Sequence, residues 1–220
     1  MSKGILSPLA PLFALTNFVA FFGWSFVLFQ LVSSFSASYP EPPLANELLA
    51  DVQSALLVLE GICAIEVFRM FLGDLPGNLI LGVVLHSIRV VTILEVLPHV
   101  PLATGILNHW TASAVLASWA VTEVTRYPMY MFHKSTLCRS VRLVVPLLTF
   151  PIGAFSEAFG AYIVLGDTET TGWLRIVLVA VVFINAFLGP TLAYPALLRK
   201  GLPVLGLSKK KEKKPTIKSV

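Results

Sequence analysis

Six long runs of apolar residues, separated by short polar or proline-rich joints, decide what this chain can fold into. They cover about residues 9–35, 48–72, 78–97, 102–132, 143–165 and 173–198. Each reaches or approaches the roughly 20 residues that a helix needs to cross a bilayer. Helices are preferred to strands because the runs are long and lack a period of two. Composition points the same way, with 56% of 220 residues hydrophobic and 13% charged. A soluble domain carries roughly 25% charged residues, because its surface faces water. The expected fold is an all-α membrane protein, a six-transmembrane-helix bundle over residues 1–200 with a basic tail at 201–220. The third run, interrupted by Gly82, His86 and Arg89, is expected to be the weakest span.

Breakers mark the joints: Tyr39-Pro40-Glu41-Pro42-Pro43, Asp74-Leu75-Pro76-Gly77-Asn78, Pro98-His99-Val100-Pro101, and Gly166 to Gly172. Charge then orients the bundle. With the N-terminus in the cytosol, that side receives Lys3, Arg69, Lys134, Arg139, Arg142, Arg199, Lys200 and the tail lysines. The other side receives Glu41, Glu47, Asp51, Asp167 and Glu169, with Arg175 its one base. Six crossings and this asymmetry predict both termini to be cytosolic. The net charge of +4 does not imply nucleic acid, because Lys209, Lys210, Lys211, Lys213, Lys214 and Lys218 concentrate the positive charge in the tail. There they fix topology and meet anionic lipid headgroups.

Charge inside a span costs roughly 2.5–3.5 kcal/mol per group on insertion scales, so each such residue needs a reason. Glu60, Glu66, Arg89, Glu95, Glu123, Arg126 and Glu157 lie within or near the apolar runs. Ion pairs that hold helices in register account for most of them, and Glu95 reads as lying near a helix end. In the fourth run Trp119, Glu123, Arg126, Tyr127 and Tyr130 recur at spacings of three and four. They share a helical face, and a Glu123–Arg126 pair within the helix lowers the cost of burying both. In the fifth run Pro151 and Gly153 loosen the backbone ladder ahead of Glu157. A carboxylate beside such an irregularity points to a cavity, and a transporter site, a proton relay and a buried active site all fit.

Several of these motifs, in this order, resemble the very-long-chain 3-hydroxyacyl-CoA dehydratase family, also named protein tyrosine phosphatase-like. Asn17 with Gly23-Trp24, Ile65-Glu66 followed by Phe71-Leu72-Gly73, and Arg89 all match family positions. The stretch from Ser118 to Tyr130 resembles the family's Trp-x-x-x-Glu-x-x-Arg-Tyr-x-x-Tyr signature, with Trp119, Glu123, Arg126, Tyr127 and Tyr130 in place. Pro151, Gly153, Glu157 and Tyr162 match its Tyr-Pro-x-Gly-x-x-x-Glu-x-x-x-x-Tyr block. The resemblance implies a six-span, multi-pass enzyme of the endoplasmic reticulum membrane that needs no cofactor. It implies removal of water from a long-chain 3-hydroxyacyl-CoA, giving a trans-2-enoyl-CoA in fatty-acid elongation, beside other elongation enzymes and membrane lipid. Its catalytic pair is the Tyr and Glu of the last block. Glu carries over to Glu157, whereas Phe150 stands at the Tyr position.

Phe150 matters because dehydration needs a base for the proton beside the thioester and an acid for the departing hydroxyl. A phenol serves either role and a phenyl ring neither. Leu85, Ile88 and Leu143 also replace polar family residues. Tyr127, Tyr130 and Tyr162 are the candidates to supply a phenol, while Glu66, Arg89, Glu123 and Arg126 are structural or pocket-lining. A Cys-dependent phosphatase is excluded, since neither Cys63 nor Cys138 has a phosphate-binding loop around it. The scatter of His86, His99, His109 and His133 predicts no metal. Three readings follow: a dehydratase, a non-catalytic partner or scaffold for elongation enzymes, and a small transporter. In the first, Lys134, Arg139 and Arg142 are the bases placed to meet coenzyme A phosphates, though topology alone also explains them.

Overall fold

The structure, a computed structural model, describes residues 9–39, 45–75, 77–104, 109–167, 170 and 172–207. Among these every regular element is helical: α1 (Ala10–Ser38), α2 (Ala45–Phe71), α3 (Leu79–Val91), α4 (Leu97–Thr104), α5 (His109–Met131), α6 (Thr136–Val144), α7 (Pro146–Leu165), α8 (Gly172–Phe183) and α9 (Tyr194–Gly201). Two π-helical stretches, Thr92–Val96 and Ile184–Ala193, join α3 to α4 and α8 to α9. Lys3, the joint Pro40-Glu41-Pro42-Pro43, Glu169 and the tail lysines from Lys209 to Lys218 lie outside the described residues.

Five helical stretches are long and apolar enough to cross a membrane: Ala10–Ser38, Asn46–Phe71, Leu79–Pro101, Thr136–Leu165 and Gly172–Gly201. The third apolar run, expected to be the weakest, is therefore among them. The helix that falls short is α5, which at 23 residues has the length but not the hydropathy. It collects Thr111, Ser113, Ser118, Thr122, Glu123, Thr125 and Arg126. Its enclosure explains how it carries them. Ala112, Val115, Leu116, Ala120, Glu123 and Tyr127 are all buried, and α5 packs against α1, α2, α6 and α7. A helix wrapped by other helices needs no apolar face for lipid.

Helix α1 shows the opposite pattern. Ala20, Trp24, Val27 and Leu31 pack inward, while Phe18, Phe22, Phe26 and Phe29 stay exposed. An apolar face of this extent is unfavourable in water and matched to acyl chains. Neighbouring crossings run antiparallel. Arg69 near the end of α2 lies 3.9 Å over the ring of Phe13 at the start of α1. Phe35 near the end of α1 meets Trp110 at the start of α5, with centroids 6.2 Å apart.

The break expected at Pro98–Pro101 is absent: the helix passes through both prolines. Each proline lacks an N–H and so frees a carbonyl one turn earlier. The π-helical turn at Thr92–Val96 absorbs that mismatch, and His99 Nδ1 meets the Glu95 carbonyl at 2.6 Å. Glu95 consequently sits inside a continuous helical stretch and not at its end. The fifth run also begins earlier than expected, at Thr136, because amphipathic α6 leads into α7. Gly160 permits the close approach of α7 to its neighbours. A Cβ there would lie 2.8 Å from Val96 Cγ1 and 3.1 Å from Thr111 Cγ2.

Candidate active site

The charged residues of the apolar runs converge. Arg89 of α3 donates from Nη1 to Glu123 Oε1 of α5 at 2.8 Å and to Glu60 Oε1 of α2 at 3.3 Å. The second oxygen of Glu60 meets His86 Nδ1 at 2.8 Å. Arg126 donates from Nη2 to Glu66 Oε2 at 2.6 Å and to the Tyr127 hydroxyl at 3.0 Å. Its Nε lies 3.0 Å from Glu123 Oε2, an ion pair one turn apart whose angle does not make a hydrogen bond. The result is a buried chain, His86–Glu60–Arg89–Glu123–Arg126–Glu66, drawn from α2, α3 and α5. Opposite charges alternate along it between Glu60 and Glu66, which is how charge is tolerated away from water.

Glu157 of α7 is buried beside that chain but outside it. Trp119 Nε1 donates to its Oε1 at 2.6 Å, and Asn185 Nδ2 donates to its Oε2 at 2.9 Å. Both donors are neutral, and Glu157 forms no ion pair among the described residues. One helical turn before Glu157, Gly153 lets α7 close on Ser118 of α5. Asn185 comes from the π-helical stretch Ile184–Ala193, which holds Pro190. Sequence reasoning missed Asn185. Its signal was a lone amide in an apolar run, five residues ahead of a proline. Trp119 connects the two regions, since the Arg89 guanidinium lies 5.2 Å from its ring centroid.

The aromatic residues separate by location. Phe150 stacks on Tyr194, with centroids 6.1 Å apart and planes 8° from parallel, and its Cζ lies against Gly189. The absent side chain of Gly189 leaves space there. The Tyr194 hydroxyl is turned away and donates to the Leu147 carbonyl at 3.1 Å. Tyr127 is buried, with its hydroxyl between Arg126 and Cys63. Tyr130 lines a cavity of about 370 Å³ with Asn17, Glu66, Arg69, His133 and Arg139. Tyr162 is 67% exposed on the outside of α7. Among the described residues no hydrogen bond brings any of these tyrosines to Glu157.

Glu60, Cys63 and His86 place their ligand atoms within 4.8 Å of one another, so residues scattered in sequence do meet here. The cluster fits a divalent cation poorly. Both Glu60 oxygens are already engaged, and the Arg89 guanidinium stands 3.3 Å from one of them. A second positive charge at that point is repelled. Cys63 and Cys138 are free thiols, the first fully buried and the second partly.

The model of the family described as protein tyrosine phosphatase-like protein, PTPLA, matches residues 61–207. The chain belongs to this family. That match spans α3 to α9 and so includes Arg89, Glu123, Arg126, Phe150, Glu157 and Asn185. Relatives named very-long-chain (3R)-3-hydroxyacyl-CoA dehydratase 1 are similar at low identity. The protein of Canis lupus familiaris is 24% identical over 142 residues, 63% of this chain and 56% of that one. Those of Ovis aries and Mus musculus are 24% and 23% identical over the same length, covering 48% and 50% of the relative. The chain thus spans about half the length of the curated relatives it matches. No solved structure matches it. A PTPLA family member with a buried helical bundle and a neutral-donor site around one glutamate is what the chain presents.

Proposed function

We propose that this chain removes water from a long-chain 3-hydroxyacyl-CoA to give the trans-2-enoyl-CoA, with Glu157 as the proton-transferring carboxylate. The carrying observation is the fixed, buried Glu157 carboxyl, held by an indole N–H and an amide and set in the family-matched region. Such a group exchanges a proton with a substrate carbon or hydroxyl brought to it, and its neutral donors orient it without tying up its charge. Dehydration breaks the C–H bond beside the thioester and the C–O bond at C3, so the proton and the hydroxyl leave together as water.

The same reading places the chain in the endoplasmic reticulum membrane, beside other elongation enzymes, with α5 as a sixth crossing and both termini cytosolic. Helix α5, at 1.5 Å per residue, is about 35 Å long, against the ~30 Å apolar thickness of a bilayer. Tyr39, Trp110, Tyr162 and Trp173 are exposed at one end of the bundle, where amphipathic rings favour the interface. Arg69, Lys134, Arg139, Arg142, Arg199 and Lys200 gather at the other, which supports a cytosolic assignment for that end and for the tail beyond residue 201.

The second reading, a non-catalytic scaffold for elongation enzymes, is favoured by one observation: Phe150 is an apolar ring packed on Tyr194 at the family's phenol position. Replacement of Phe150 by Tyr separates the two. In the purified protein, Phe150→Tyr is expected to raise enoyl-CoA formation at least about tenfold, since a general acid–base group typically contributes 10²–10⁴. Wild type and variant both inert, with the fold intact across several acyl lengths, would establish the scaffold.

A further inference from the structure

The cavity of about 370 Å³ at the far end of the ionic chain takes no part in holding Glu157, yet polar and charged residues line it beside Leu75 and Met129. Asn17, Glu66, Arg69, Tyr130, His133 and Arg139 line it. Its volume falls within the roughly 300–1,000 Å³ of small-molecule sites. Two observations say what it takes. First, not every cation at this end is paired: Arg69 is held by Asp74, but neither Arg139, which lines the cavity, nor Arg142, further along α6, has an ion-pair partner among the described residues. Arg142 stands one turn beyond Arg139 on α6, outside the cavity lining itself and within electrostatic reach of Arg126, Glu123 and Tyr130. Second, Glu66 is buried and lines the cavity, with Oε1 lacking any hydrogen-bond partner while Oε2 is held by Arg126. A buried acceptor left open is costly unless something donates to it. The site therefore suits a ligand that joins an anion to a nearby N–H or O–H donor.

We propose that this cavity holds the phosphate-bearing end of a coenzyme A ester. Arg139 and Arg142 meet its phosphates, and Glu66 Oε1 accepts from a pantetheine amide or hydroxyl. The choice of coenzyme A among phosphate esters rests on the reaction proposed above; the site chemistry itself does not. Planar guanidinium groups suit phosphate oxygens in charge-assisted pairs. The spacing fits a thioester carrier. Tyr130 at the cavity and Trp119 beside Glu157 are eleven residues apart on α5, about 16 Å along the axis. An extended pantetheine arm covers such a distance, so the phosphates stay at the basic end while the thioester lies deep in the bundle. A phospholipid headgroup carrying an ammonium and a phosphate offers related chemistry.

The test is binding of free coenzyme A, without an acyl chain, to the full chain in phosphatidylcholine nanodiscs, measured by calorimetry at two salt concentrations. Binding is expected, weakened by salt and weaker for dephospho-coenzyme A. Arg139→Ala with Arg142→Ala is expected to lower affinity at least about tenfold, and Arg199→Ala to leave it unchanged. Arg139→Glu alone, at an exposed position, serves the same purpose should the double variant not fold. No binding of coenzyme A, or equal affinity in wild type and both arginine variants, overturns the proposal. So does binding of glycerophosphoethanolamine in its stead, which would make this a lipid site. Retained coenzyme A binding without dehydration would remove the reaction and leave the site. Dehydration with a KM unchanged by the arginine variants would remove the site and leave the reaction.

Discussion

Two groups of buried acids lie on either side of Trp119, and they are held in different ways. On one side Glu60, Glu66 and Glu123 alternate with Arg89 and Arg126, so each carboxylate has a guanidinium against it. On the other side Glu157 has, among the described residues, an indole and an amide. Removing one partner of a buried ion pair strands the other, which makes such a chain a fastening between helices. A carboxyl oriented by neutral donors strands no opposite charge when changed, and its proton is free to be exchanged. Under the proposed function, this contrast puts stability in α2, α3 and α5, and chemistry at the contact of α5 with α7 and the Ile184–Ala193 stretch.

The sharpest way to break this contrast is at Glu123, which contacts both arginines. Glu123→Ala is expected to cost about 3–5 kcal/mol, read as a lowered thermal midpoint in detergent. The Glu123–Arg126 pair alone suggests that adding Arg126→Ala restores much of the loss. The structure limits that recovery, because Arg126 also holds Glu66 and its removal strands a second carboxylate. A full rescue in the double-mutant cycle would show that Glu66 is not held as described.

His86→Ala is the next effect in size. It removes one of two partners from buried Glu60, with an expected cost of about 1–3 kcal/mol in the same thermal measurement. An unchanged midpoint would place His86 outside the fastening. Asn185→Leu addresses the other side of the contrast. It takes a donor from Glu157 Oε2 and should lower turnover about tenfold, a fraction of the 10²–10⁴ typical of a general acid–base group. A lowered thermal midpoint with unaltered turnover would instead make Asn185 a structural residue. The smallest effect belongs to Tyr162→Phe. Its ring is 67% exposed, so stability is expected to stay within about 0.5 kcal/mol and turnover to be unchanged. A collapse of turnover would bring Tyr162 into the site.

Much of this was legible in the sequence, because lipid and helix geometry act on local patterns. The long apolar runs predicted helices, and the three- and four-residue spacing of Trp119, Glu123 and Arg126 placed them on one face. What escaped depended on partners distant in sequence. Asn185 has no meaning until a π-helical stretch turns it toward Glu157. His86 and Glu60 are 26 residues apart and meet only when α2 packs on α3. Gly82, His86 and Arg89 made the third run look weakest, yet the helix short of hydropathy is α5 in the fourth, which faces other helices. The prolines at 98 and 101 misled because a π turn accommodates them.

The assignment of chemistry to Glu157 is tested most directly by one paired measurement on a single substitution. Wild type and Glu157→Gln, in the same nanodiscs, are supplied with a long-chain (3R)-3-hydroxyacyl-CoA while enoyl-CoA formation and thermal midpoint are both recorded. The amide keeps the size and two polar atoms of the carboxyl but cannot exchange its proton. The expected result is slow, enzyme-dependent product from wild type and at least about a 10²-fold loss in the variant, with midpoints close together. Equal product from both, or none from wild type, would contradict the account.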